Sequence, residues 1–80
     1  MGERRLNTNE KTDLLRYQLA TLNQQYGVTI SFIAKETGIA TQHLTNFKNG
    51  KLVFGWKRLT ILDTFLRQRY YLLFTIMGAL

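Results

Sequence analysis

Cysteine and proline are both absent from this 80-residue chain, histidine occurs once, and acidic residues number five. Without cysteine no disulfide can brace the fold, and the chain reads as one suited to a reducing compartment. With no cysteine and one histidine, His43, a zinc site lacks ligands. The sequence implies no other metal and no cofactor. Without proline nothing forbids long helices. Catalysis is not expected either. There is no cysteine nucleophile, Ser31 has no base nearby in sequence, and Glu3, Glu10, Asp13 and Glu36 lack the paired spacing of acid–base work. A long apolar run is also missing. The most apolar stretch, Tyr70 to Leu80, falls short of the roughly 20 residues that span a bilayer, and Arg67 and Arg69 interrupt any extension. The opening Met1-Gly2-Glu3-Arg4-Arg5-Leu6-Asn7 has no apolar segment of the secretory kind.

What is present is a folding composition with a strong positive balance. Hydrophobic residues make up 45%, too many for a disordered tail. Eleven Lys and Arg face five Asp and Glu, for a net charge of +6 and a pI near 10.1. Such a balance points to an anionic partner, either nucleic acid or an anionic membrane. The length argues for one domain with a modest core. Helix packing or self-association must then supply the stability.

Residues 1–6 read as a loose basic tail, 7–69 as a helical core and 70–80 as an apolar C-terminal helix or tail. Asn7 or Thr8 can cap a first helix, with Glu10 placed as a capping-box partner. Leu15, Leu19, Leu22 and Tyr26 recur at helical spacing, so the helix runs to Gln25 and Gly27 ends it. Thr29 caps a short helix from Ile30 to Thr37, stopped by Gly38. A third helix spans Thr41 to Lys48 and ends at Asn49-Gly50-Lys51, where Gly50 can take positive φ. Leu52 to Gly55 connects to a fourth helix, from Trp56 through Arg69 or as far as Met77. Its stripe is Leu59, Leu62, Leu66, Tyr70 and Leu73. Leu52, Val53 and Phe54 are apolar enough to pair as a strand but too few to assign one. Trp56 is expected to pack at the start of the last helix, against Phe54, and His43 to face solvent.

The two short helices and the glycine between them form the pattern of a helix-turn-helix. The first helix needs a small residue at the crossing, supplied by Ala34. The turn needs a residue without a β-carbon clash, supplied by Gly38. The second helix needs apolar residues facing the first, supplied by Ile39, Leu44 and Phe47, with Ile33 beneath them. The joint register is more specific than any one glycine.

The stretch from Thr29 through Ile33-Ala34, Gly38 and Leu44 to Asn49-Gly50-Lys51 resembles the phage-repressor and Cro helix-turn-helix family, also described as the xenobiotic-response-element family. The resemblance extends more loosely to the first helix and to Trp56 through Arg69, and residues 70–80 match nothing in it. It implies an all-α fold, a bundle of four to five helices of the lambda-repressor-like type with a central helix-turn-helix. It also implies a small phage or prokaryotic regulator that lays one helix in the major groove of double-stranded DNA. Ala40, Thr41, Gln42, Thr45 and Asn46 occupy the family's base-contacting positions. Their chemistry agrees: Gln and Asn can bond adenine N6 and N7, and threonine can meet the thymine methyl. With no arginine on that face, an A·T-biased half-site is expected. Phosphate contacts are expected from the helix start at Thr29 and from Lys48, Asn49, Lys51, Lys57 and Arg58. Where the family often has glutamine to hold a phosphate, this chain has Ile30, so one backbone contact is missing.

The C-terminal segment has two readings. As core, Leu72, Leu73 and Ile76 fold back to cover Leu14 and Leu19 of the first helix. As an interface, Tyr70, Tyr71, Phe74 and Met77 meet a second copy or a partner protein, because a helix apolar all round cannot bury every face in a small domain. A homodimer suits the motif, since successive major grooves lie about 34 Å apart. The function expected is sequence-specific repression of transcription in the cytoplasm of a prokaryotic host, at the nucleoid. Such a chain has no room for a ligand-sensing or self-cleaving domain. The alternative is an antirepressor or inhibitor that binds another protein through residues 70–80.

Overall fold

Asn7 opens the first helix. In the computed structural model, which describes residues 7–77 and only the backbone of Met77, its side chain accepts from the Glu10 N–H at 2.8 Å. The Glu10 carboxylate accepts in return from the Asn7 N–H at 3.1 Å. This reciprocal pair is a capping box, and α1 follows as Thr8–Gln25. Leu15, Leu19 and Leu22 form its fully buried stripe. Tyr26, read as the next member of that stripe, is instead the capping residue and is half exposed. Gly27 takes φ +70° and turns the chain.

The second helix, α2 (Ile30–Thr37), starts at Thr29, whose hydroxyl accepts from the Phe32 N–H at 3.1 Å. It stops at Gly38, with φ +76°. The third, α3 (Thr41–Lys48), closes with a paired backbone arrangement. The Gly50 N–H donates to the Phe47 carbonyl and the Lys51 N–H to the Asn46 carbonyl, while Gly50 sits at φ +79°. That is the Schellman ending, which needs a residue tolerant of positive φ. The connector forms no strand. Val53 points out, and Phe54 turns in to stack on Phe47 at 4.3 Å between ring centres.

The last helix, α4 (Trp56–Met77), is bent at Tyr70, where φ −123° and ψ 23° leave the helical region. The fold is thus all-helical among the described residues, with four helices in chain order. α1 packs on α3 and α4, and α2 packs on the same two. Ile33, Ile39, Leu44, Phe47, Leu59, Leu62 and Leu66 meet the α1 stripe in one core. Lys11 on α1 reaches Asp63 on α4 at 2.9 Å, and Asp63 also takes Arg67. No helix among the described residues is long and apolar enough to cross a membrane.

Three expectations are corrected here. The core does not end at Arg69, because Phe74 is fully buried. The segment after Tyr70 follows neither reading whole: Leu73 packs against the core and Tyr71 is exposed, but Leu72, Ile76 and Phe74 are reversed. Phe74 packs inward against Tyr70, so it is not offered to a partner, while Leu72 and Ile76 stand out in solvent at 74% and 84% exposure. Phe74 falls one turn after Tyr70 on the core side, and Leu72 and Ile76 fall outside it. Third, Trp56 does not pack on Phe54. It is exposed, with the Lys11 ammonium 5.8 Å from its ring centre.

Candidate nucleic-acid interface

Two faces of α3 differ sharply. Leu44 and Phe47 are fully buried, and their spacing fixes which positions look outward. Thr41 and Gln42 are exposed, as is Ala40 just before them. Thr45 and Asn46, which lie between the buried pair in sequence, are half-buried. So the five positions expected to read bases share one side of α3, graded from open at its start to sheltered at its end. Among the described residues, no hydrogen bond within the chain engages the side chains of Thr41, Gln42, Thr45 or Asn46. His43, expected to face solvent, is half-buried.

The turn before α3 is held by a threonine. The Thr37 hydroxyl donates to the Ile33 carbonyl at 2.8 Å and accepts from the Ile39 N–H at 3.3 Å. Ile39 is thereby directed into the core, where it is 6% exposed. Ala40 then precedes α3 with no side-chain cap. The first N–H groups of α3 therefore have no capping side chain, and they lie at the exposed end of the helix.

The electrostatics of the helix starts agree with an anionic partner. α1 has Glu10 in its first turn, while α2, α3 and α4 have no acidic residue there. α4 goes further and begins with Trp56, Lys57 and Arg58. Cations near a helix N-terminus oppose the dipole unless a negative charge is close.

The phosphate-contact residues are less uniform than the sequence implied. Lys51, Lys57 and Arg58 are exposed, and Arg58 lies 5.6 Å over the Phe54 ring, which sets the start of its stem. Lys48 is half-buried, and its ammonium donates to the Asn49 side chain at 3.2 Å. The Thr29 hydroxyl is occupied by its own cap, so only the backbone near it is available. Ile30 is half-buried and packs against the core, which fits an apolar residue at that position.

Comparison with protein-family models, curated proteins and solved structures gives no match. The resemblance of residues 29–51 to a regulator family therefore rests on those residues alone.

One positioning residue escaped the sequence reading. Arg16 on α1 donates from Nε to the Phe47 carbonyl at 2.8 Å and from a terminal nitrogen to the Leu52 carbonyl at 2.9 Å. Its guanidinium also lies 5.0 Å from the Phe47 ring centre. It ties the end of α3 and the connector to α1, and it places a cation at a helix C-terminus, where the dipole favours it. Its only sequence signal is a basic residue beside the buried Leu15 and Leu19. A second unforeseen cluster joins α2 to α4: Arg69 pairs with Glu36 at 3.1 Å and lies over Phe32 and Phe65. Burial beside this cluster pushes the pKa of the Tyr70 phenol up from its ordinary value, which Arg69 opposes and Glu36 reinforces.

Proposed function

We propose that this chain binds double-stranded DNA in a sequence-dependent manner, as a small transcriptional repressor of the phage-repressor helix-turn-helix type acting in the cytoplasm of a prokaryotic host. The observation that carries the reading is the two-sidedness of α3. One side is fixed in the core by Leu44 and Phe47, and the other presents Thr41, Gln42, Thr45 and Asn46 with no hydrogen-bond partner in the chain. Polar amides held on a rigid helix and left unpaired suit base edges in a major groove. The uncapped start of α3 and the cations Lys51, Lys57 and Arg58 supply what a phosphate backbone needs. Repression would follow from occupying a promoter. The exposure of Leu72 and Ile76 favours a contact with protein as well.

The test is selection of binding sites from a random duplex pool, followed by titration of the winning site at fixed salt. A winning A·T-rich motif is expected. Gln42→Ala with Asn46→Ala should lose about 1–3 kcal/mol of discrimination per lost bidentate contact, with random-sequence affinity and thermal midpoint unchanged. Failure to enrich any site, or an unaltered motif in the double variant, overturns base reading by α3.

A further inference from the structure

An open groove of about 520 Å³ lies between α2 and α4, within the range of roughly 300–1,000 Å³ typical of small-molecule sites. None of the residues that line it is among those proposed to touch DNA. Ile61 and Phe65 supply its apolar surface. Ile61 is 38% exposed, and Phe65 is half-buried, with Phe32 6.4 Å away between ring centres. The two charged residues on the wall, Glu36 and Arg69, pair with each other at 3.1 Å. The Arg69 guanidinium is also held 5.4 Å from the Phe32 ring centre and 5.7 Å from that of Phe65. Its charge is thus answered within the chain, while half of the side chain stays exposed. A guanidinium held in this way offers a flat face for stacking rather than a free cation.

Thr60, Thr64 and Gln68 stand about one turn apart on α4 and form the rest of that helix's wall. A helical threonine often returns its hydroxyl to the carbonyl one turn back, as Thr75 does to Tyr71 at 2.9 Å. Thr60 and Thr64 do not, and the Gln68 amide has no partner either, among the described residues. Two hydroxyls and an amide, all uncharged, are therefore left beside an apolar surface and a flat guanidinium.

We propose that this groove binds an uncharged, flat heteroaromatic molecule of the nucleobase or nucleoside class. Its plane stacks on the Arg69 guanidinium and the apolar surface of Ile61 and Phe65, as bases stack on arginine and aromatic side chains. Its edge is met by Gln68, whose amide both donates and accepts, the pairing that glutamine makes with adenine N6 and N7. Thr60 and Thr64 each add a hydroxyl for further ring or ribose groups. Charge selects a neutral occupant. Glu36 and Arg69 answer each other, so a charged ligand must break their pair to gain one of its own. Binding also removes the exposed part of Ile61 from water. Thr37 lies on the same wall and ties the turn before α3 through the Ile33 carbonyl and the Ile39 N–H, so occupancy is felt at that turn. Such a site lies inside the helical domain and needs no separate sensing domain. The assignment does not depend on DNA binding.

Adenosine is the probe, titrated into the full chain without DNA and followed in two-dimensional amide spectra. Saturable shifts are expected at Thr37, Thr64, Phe65, Gln68 and Arg69, with a dissociation constant of about 1 mM, since an open groove makes few contacts. Gln68→Ala should weaken binding about fivefold or more. The thermal midpoint of the free protein should not change, because Gln68 is exposed and unbonded. Gln42→Ala should leave adenosine binding unaltered, which separates the groove from the proposed reading side of α3. Absence of saturable shifts up to the solubility of adenosine overturns the proposal, as does equal binding by Gln68→Ala. Shifts centred on Gln42 and Asn46 overturn it by assigning the nucleoside to α3. Tighter binding of adenosine monophosphate at the groove, at fixed salt, overturns the neutral ligand. Shifts of the same groove amides on simple dilution of the protein also overturn it, because they mean that a second copy covers the groove.

Discussion

The Arg16 guanidinium on α1 donates to the Phe47 carbonyl at the end of α3 at 2.8 Å, so the helix proposed to read DNA is anchored from behind by the first helix. The same guanidinium takes the Leu52 carbonyl at 2.9 Å, and one side chain therefore fixes both the reading helix and the connector that follows it. Bonds from a charged donor contribute about 1.5–3 kcal/mol each. Arg16→Met keeps the packed stem and, losing two such bonds, should cost about 3 kcal/mol or more, read as a lower urea midpoint at constant slope. Arg16→Lys should recover only part, because an ammonium lacks the two-pronged geometry. A loss below about 0.5 kcal/mol, the level of an ordinary surface substitution, would show that solvent replaces Arg16 at both carbonyls.

Gly38 tests the turn separately from the packing. It sits at φ +76°, and an added β-carbon there would meet nothing within 4 Å. The cost of Gly38→Ala is then backbone strain alone, roughly 1–2 kcal/mol for a left-handed residue. Gly38→Asn should cost less, because asparagine visits that region more readily. Thermal unfolding of the three proteins gives the order Gly, Asn, Ala. An alanine variant as stable as wild type would mean that the turn relaxes to negative φ.

Phe74 and Ile76 lie two residues apart and should behave oppositely. Phe74 is fully buried and Ile76 is 84% exposed. Phe74→Ala leaves a cavity and should cost about 3–5 kcal/mol. Ile76→Ala should stay within about 0.5 kcal/mol for the monomer. Measured by denaturation at low protein concentration, equal losses would mean that the end of α4 is not packed as described.

Tyr70 adds a pH dependence. Its pKa is raised mainly by burial, with Arg69 opposing and Glu36 adding. A phenol whose folded pKa lies above its unfolded value favours folding while it is neutral, and that advantage is lost as pH rises. Stability should therefore fall from about pH 10 upward. Tyr70→Phe, which cannot ionise, should flatten that part of the curve in a series of alkaline melts. An identical alkaline fall in Tyr70→Phe would place the effect on other groups.

The parts of this fold that were legible in the sequence are those governed by neighbours in the chain. Asn7 with Glu10, Thr29 and Gly38 mark helix ends through bonds spanning three or four residues, and all four helices lie where those signals place them. The exposure of Thr41 and Gln42 followed from the spacing of Leu44 and Phe47. What was not legible depends on distant partners. Arg16 acts on carbonyls far along the chain, which no local pattern marks. Leu72 and Phe74 exchanged their expected places because an uninterrupted apolar run carries no polar residues to mark its outer side; continuing the spacing of Leu66 and Tyr70 places Phe74 inward and Leu72 outward. Trp56 was expected to pack on Phe54, but Phe54 faces inward and stacks on Phe47, leaving Trp56 exposed.

The cations offer a graded test of the DNA reading. Each phosphate neutralised on a duplex contributes about 0.9 to the slope of log affinity against log salt. Lys51, Lys57 and Arg58 are exposed, and the latter two crowd the start of α4, where the dipole makes an anion welcome. Lys51→Gln and Lys57→Gln should each lower the slope by about one, for random and selected sequences alike. Arg58→Gln should do the same and also lose its contact with the Phe54 ring, seen as a small fall in thermal midpoint. Arg67 provides the control, because it is committed to Asp63 on the side of α4 that meets α1. Arg67→Gln should leave the slope unchanged. If all four substitutions lower it equally, the chain binds DNA through diffuse charge rather than in one orientation, and α3 has no fixed place in the groove.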